Sequence, residues 1–188
     1  PTSNGESAKL EATQAEIAPA NSVVPAVPVV DQAADQAAML AKINAIKLPE
    51  DDFDIDDEIR EIFIEEAEEV LESIHSEFPK WAADFTDITA LKEFRRGFHT
   101  LKGSGRMVGA RVSGELAWSI ENMLNRVLDQ SVEPNQSMVQ LIADVLAMIP
   151  VLVNDFAESQ EASLAIRPLM YVAAELSAGR SVEDVQLV

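Results

Sequence analysis

The chain has 188 residues, is 47% apolar but only 5% aromatic, contains no cysteine, and carries a formal charge of −19. The lack of cysteine excludes disulfides, thiol catalysis and Cys-based zinc sites, and two histidines leave little for a His-rich metal site. Such an acidic chain has the wrong sign for a phosphate backbone, which excludes a nucleic-acid partner.

Taken in chain order, residues 1–32 are rich in Ala, Pro, Ser, Thr, Gln and Val, and Pro19, Pro25 and Pro28 forbid a continuous helix. Residues 1–50 are therefore expected to form a largely disordered linker. Within it, Ala34, Ala38, Ile43 and Ile46 allow a short helix over 31–47. Pro49 and Glu50-Asp51-Asp52 mark the start of a domain predicted over 51–160, and 161–188 reads as an additional helix and tail leading to a next module. The chain begins at Pro1 without Met, as an excerpt of a longer protein or a processed chain would.

The first strong helix begins near Asp56, a suitable N-cap, and is expected to end near Pro79. Ile59, Ile62, Phe63, Ala67, Val70, Leu71 and Ile74 form its apolar stripe, with Glu65, Glu66, Glu68, Glu69 and Glu72 facing out. His75, beside Glu72 and Pro79, reads as an ordinary surface histidine. Asp87 or Thr89 caps a second helix that runs to about Val108, where Gly109 stops it. Ser113, followed by Glu115, opens a third, burying Leu116, Ile120, Met123, Leu124 and Val127. Pro134 suits the first turn of a fourth, from Met138 to Phe156, which Pro150 is expected to kink or split. A last segment, about 162–178, carries Leu164, Leu169, Val172 and Leu176, is interrupted by Pro168, and ends at Gly179.

Four amphipathic helices with short connections predict an all-α fold: an antiparallel, up-down four-helix bundle with an extra C-terminal helix. No uninterrupted apolar run approaches the ~20 residues that span a bilayer, and no basic-then-apolar leader is present. Without membrane insertion, a cytoplasmic location is the default expectation.

The second helix carries the most distinctive stretch. Leu91, Phe94, Phe98, Leu101, Gly105 and Val108 recur at steps of three and four on one buried face, and beside them run Arg95, His99, Lys102 and Arg106. A histidine thus sits on the wet side of an apolar seam with cations on either side. Gly103 lies one turn beyond it, where a side chain would stand over the ring. Gly103 and Gly105 are both helix-interior glycines, each costing roughly 1 kcal/mol relative to Ala, so close approach by another molecule is an expected reason. Lys92, Arg95, Arg96, Lys102, Arg106 and Arg111 fall within 92–111 with Glu93 the only acid there, a local island of +5. It suits a phosphoryl group or an acidic partner, or equally a solvated helix face.

On the third helix Glu121 follows Ile120 as His99 follows Phe98 on the second, which puts both at the rim between adjacent antiparallel helices. Histidine, with an ordinary pKa of ~6.5, supplies a neutral imidazole at physiological pH. A carboxylate on one ring nitrogen fixes the tautomer and raises the nucleophilicity of the other. Read without that pairing, Glu121 is a solvated carboxylate and Lys102 a snorkelling lysine.

His99-Thr100-Leu101-Lys102-Gly103-Ser104, with a further glycine at Gly109, resembles the signature of histidine phosphotransfer (HPt) domains. It is most similar to those of the CheA-like kinases of pilus-based motility (the ChpA/PilL type), and the helical pattern extends the similarity over about 55–160. The resemblance implies that His99 accepts a phosphoryl group and that Glu121, within Glu121-Asn122-Met123-Leu124, hydrogen-bonds its imidazole. It implies further that Lys102 balances phosphoryl charge and that Arg95, Arg96, Gly103 and Arg106 meet the partner. The implied partners are a histidine kinase catalytic domain and a response-regulator receiver, whose acidic pocket would face the +5 island. No metal or cofactor is then bound by this domain, ATP and Mg²⁺ belonging to the partner domains. Arg106-Met107 departs from the small or aromatic pair often found at this place. Two further readings compete: a helical docking module that is never phosphorylated, and a hydrolase using His99 as base, which lacks a Ser-His-Asp spacing and a metal set.

Overall fold

The computed structural model describes residues 32–163 and 165–182. Residues 1–31 of the linker expected over 1–50, Leu164 of the last apolar stripe, and residues 183–188 of the expected tail lie outside the described residues. Six helices follow in order: α1 Gln32–Asn44, α2 Asp57–Ala83, α3 Ile88–Val108, α4 Arg111–Leu128, α5 Gln136–Ala157 and α6 Ile166–Ser177. Among the described residues there is no strand. Short connections reverse the chain at each step from α2 to α5, and these four close a ring in which α3 packs on α2 and α4, and α5 on α2 and α4. Helix α6 lies outside, against α4 and α5, and α1 docks on α6.

The core is one continuous cluster. Phe63, Ile74, Trp81, Phe94, Phe98, Leu116, Ile120, Met123, Leu141 and Phe156 are all buried within it. Phe94 meets both Phe78 and Trp81, at ring separations of 5.6 and 5.5 Å. That burial decides where α2 ends. The helix passes through Pro79 to Ala83 rather than stopping. Phe78 and Trp81 flank the exposed proline and are both buried; side chains of this kind stabilise by on the order of 3 kcal/mol each, enough to outweigh a proline penalty of ~3 kcal/mol. The same balance keeps α5 unbroken across Pro150, which is exposed between buried Ile149 and Leu152. Pro168 falls at the third residue of α6, where a missing N–H costs little, so the helix starts two residues ahead of it.

Two expected helix starts are displaced. Asn135, not Pro134, opens α5, its side chain accepting from Met138 N at 3.0 Å. Helix α4 begins at Arg111, and Ser113 is buried inside it. Its N-cap residue is Ala110, which has no side-chain acceptor. Asp51 Oδ1 supplies one instead, accepting from Val112 N at 2.9 Å. Around it, Asp52 N donates to Gly109 O at 2.9 Å, Arg111 Nη1 donates to Glu50 O at 3.0 Å, and the Phe53 ring lies 5.8 Å from that of Phe156. Gly109 holds φ +90, and a Cβ there would stand 2.8 Å from Asp52 O. Residues 50–53 thus strap the turn between α3 and α4. Asp51→Ala should lower stability by about 1 kcal/mol, the usual loss for a removed cap, measured by urea unfolding.

Helix α5 corrects the membrane expectation in one respect. With 22 residues it is, by length and composition, long and apolar enough to cross a bilayer. Its Leu141, Ile142, Val145, Leu146, Ile149 and Leu152 are buried in the core of the bundle.

Candidate functional site

His99 is positioned by its neighbours. Phe98 and Leu101 are buried on α3, Ile120 and Leu124 on α4, and this fixes the turns that carry His99 and Glu121 to the shared rim. Close helix approach assists. A Cβ on Gly105 would stand 3.0 Å from Ala110 O and 3.2 Å from Gly114 N, and one on Gly97 would stand 2.5 Å from Ile74 Cγ1. Glycines at 97 and 105 therefore let α3 sink against α2 and α4. Gly97 and Gly114 went unused in the sequence reading, although a glycine in a helix interior is itself the signal. Gly103 differs. A Cβ there would meet nothing within 4 Å, the His99 ring included.

His99 Nδ1 and Glu121 Oε1 are 2.6 Å apart. Lys102 Nζ stands 2.6 Å from Glu121 Oε2 as an ion pair, off the angle of a hydrogen bond. The Glu121 side chain is 6% exposed and that of His99 60%. Burial opposes ionisation of Glu121, but Lys102 and then His99 outweigh it and hold the carboxyl below its ordinary value. An ionised carboxylate only accepts, so Nδ1 carries the shared proton and donates it. In the neutral ring the free lone pair is then on Nε2, which has no hydrogen-bond partner among the described residues.

The remaining cations of the island spread over two faces. Arg95 Nη1 donates to Asn125 Oδ1 at 3.2 Å, Arg106 Nη2 pairs with Glu115 Oε2 at 3.2 Å, and Arg111 turns to the 50–52 strap. Arg96 and Lys92 are exposed and make no ion pair among the described residues. Thr100 and Ser104 hydroxyls donate to the carbonyls of Arg96 and Thr100, one turn back along α3.

On the other side of His99 a shallow groove of about 430 Å³ runs between α2 and α3, lined by Ile59, Ile62, Phe63, Glu66, Gly103 and Met107 among others. Ile59 and Ile62, expected in the core stripe of α2, are exposed here. Helix α2 turns only Phe63, Ala67, Leu71, Ile74, Phe78 and Trp81 fully inward, and an apolar periodicity does not separate a core stripe from its exposed shoulder.

The model of the Hpt domain family matches residues 58–154, which include His99, Lys102, Glu121 and both walls of the groove. The chain belongs to the Hpt domain family. Its role is histidine phosphotransfer in two-component signalling, and its all-helical bundle is the architecture on which that role rests. Among curated proteins, this Hpt chain is similar to the chemotaxis protein CheA of Listeria monocytogenes serovar 1/2a and to that of Listeria innocua serovar 6a, each at 26% identity over 95 residues. That stretch is 50% of this chain and 15% of either relative's length, so the Hpt chain corresponds to a small part of those proteins. No solved structure matches it significantly.

The Hpt bundle itself has no need of a glycine at 103. Gly103→Ala should raise stability by up to about 1 kcal/mol through helix propensity, or about 4 °C in a domain of this size. Thermal unfolding followed by circular dichroism checks this; a lower transition temperature would mean that position 103 is crowded.

Proposed function

We propose that His99 is the phosphoacceptor, and that the domain belongs to a cytoplasmic CheA-like kinase of a chemotaxis or pilus-motility system. The reading rests on one observation above all: an exposed imidazole whose Nδ1 is held by a buried, ionised carboxylate. Nε2 attacks the phosphorus in line, the Nε2–P bond forms, and the P–O bond to the leaving group breaks. That leaving group is ADP when a kinase catalytic domain is the donor, or the aspartate carboxylate of a receiver when transfer runs the other way. Throughout, Nδ1 keeps its proton and donates it to Glu121, whose negative charge stabilises the ring as positive charge builds on it. Lys102, already drawn to Glu121, has the length to meet an oxygen of the incoming phosphoryl group. ATP and Mg²⁺ are supplied by the partner domains in this reading, and the phosphoramidate, once formed, is passed on to a receiver aspartate.

Arg95 and Arg106 buttress the α3–α4 side through Asn125 and Glu115, whereas Arg96 and Gly103 are exposed for contact with a partner. The test is phosphoryl exchange. The purified chain is incubated with an ATP-fed CheA-like kinase core and, separately, with a phosphorylated receiver. Acid-labile, base-stable label on the chain is the expected result. A folded chain that takes no label from either, yet binds them, would instead be a docking module.

A further inference from the structure

We propose that the solvent-facing stripe of α4 pairs with the same stripe of a second copy of this chain, antiparallel and about a two-fold axis, with Trp118 as its anchor. The contact uses the face of α4 turned away from the core and does not depend on the phosphotransfer reading of His99.

Arg111, Glu115, Trp118, Asn122, Arg126 and Asp129 recur at steps of three and four along α4 and its C-cap, and all are exposed or half-buried between buried neighbours. Trp118 stands near the middle of this stripe and is 41% exposed. Beside it lies an apolar depression of about 210 Å³, lined by Ile46, Ser119, Asn122, Met170 and Ala174. An exposed indole next to an apolar hollow is the kind of pair that anchors an interface. The Trp118 N–H and the Asn122 side chain make no hydrogen bond among the described residues.

The order of charges along the stripe selects the occupant. When two identical helices pack antiparallel about a two-fold axis, residue i of one faces residue j of the other, and j faces i in turn. With the axis midway between 118 and 122, Trp118 faces Asn122 of the second copy and Glu115 faces Arg126. An indole N–H, a donor only, meets an amide oxygen, and a carboxylate meets a guanidinium; each match occurs twice. Parallel packing would instead set Glu115 on Glu115 and Arg126 on Arg126. The Arg126 side chain makes no hydrogen bond or ion pair among the described residues. Glu115 is held by Arg106 at 3.2 Å on one oxygen, Oε2. The outermost match, Arg111 with Asp129, adds less, because Arg111 already donates to Glu50 O and Asp129 already accepts from Ser131. Two arginines against one Glu and one Asp leave the stripe neutral in a chain of charge −19, so two copies meet there without local repulsion.

Size sets the strength. The stripe is about 27 Å long and one helix wide, ~10 Å, which falls below the roughly 800 Å² per partner of a standard stable interface. The dimer is therefore weak in free solution, with a dissociation constant on the order of 100 μM. It becomes populated where two copies are tethered at millimolar effective concentration. Exposed charge pairs of this kind fix register more than they add affinity. The pairing leaves His99 reachable, since the groove between α2 and α3 lies on the side of the ring away from α4.

The test is self-association of the whole chain by sedimentation equilibrium, for wild type and for Trp118→Ala, each first checked for a cooperative thermal transition. A concentration-dependent dimer that Trp118→Ala weakens at least 10-fold is expected. Register is read by cross-linking, which decides independently of the Trp118 variant. The chain has no cysteine, so Glu115→Cys and Arg126→Cys each carry a single thiol. In the proposed pairing each position lies ~16 Å along the axis from its own symmetry mate, beyond the ~7 Å Cα separation that a disulfide spans. Oxidation of the mixture should therefore give the 115–126 heterodimer, and oxidation of either chain alone should give little product. A chain that stays monomeric up to ~1 mM, well above the expected constant, would overturn the proposal. So would a dimer indifferent to Trp118→Ala, or cross-links as abundant in either chain alone as in the mixture.

Discussion

His99→Gln should abolish phosphoryl labelling completely while shifting the folding free energy by no more than about 0.5 kcal/mol, the usual range for a surface site. Both halves follow from the position of the ring. The side chain is 60% exposed, so little packing is lost. Its partner Glu121 keeps Lys102 at 2.6 Å and gains an amide N–H from the glutamine, so the buried carboxylate is not left bare. Glutamine has no ring nitrogen lone pair to attack phosphorus. Label and thermal transition measured on the same preparation decide the matter. Retained label would place the acceptor elsewhere, with His75 the other candidate in the chain. A large loss of stability would mean that the ring is a structural element, at odds with its exposure.

The rim placement of His99 and Glu121 was legible because it depends on one rule applied twice, whereas their pairing was implied by the Hpt resemblance. Each residue follows one that is fully buried, Phe98 and Ile120, so each falls at the edge of its helix's inward face. With antiparallel neighbours the two edges meet. The all-helical bundle was legible for the same reason, the apolar stripes of α3, α4 and α5 being long and regular. What escaped depends on contacts distant in sequence. Pro79 reads as a stop until Trp81 is seen to be buried beyond it. Ser113 reads as a cap, but the cap of α4 is Asp51, which lies 61 residues before the amide it accepts from.

Charge was legible only along the chain, for a related reason. Counted along the chain, residues 92–111 are strongly basic, yet Glu115 and Glu121 answer Arg106 and Lys102 from the next helix. Ile59 and Ile62 show the limit of periodicity itself. At the edge of an apolar stripe, helical spacing does not distinguish core from groove wall, and only the position of α3 separates the two. The groove beside His99 was therefore hidden in residues that had been assigned to the interior.

Glu121→Ala should slow phosphorylation of His99 by about 10- to 100-fold without abolishing it, the range seen when a group orienting a functional histidine is removed. The nucleophile survives, but the ring loses the acceptor that keeps the proton on Nδ1, and the attacking nitrogen loses part of its basicity. A change in rate alone does not separate this from general loosening, so Glu121→Gln is the companion. It fills the same space and can still accept from Nδ1, but carries no charge. A rate between those of Ala and wild type is expected, with ¹⁵N shifts of the imidazole reporting a mixed tautomer in Ala and the Nδ1–H form in wild type. Stability carries a second signature. The folded carboxyl is held below its ordinary value of 4.5. Its contribution is therefore fully present above that value and is lost as pH falls through the lower folded one. The stability gap between wild type and Glu121→Gln should close on acidification below about pH 5. A gap that widens in acid, or a wild-type labelling rate in Glu121→Ala, would remove Glu121 from the site.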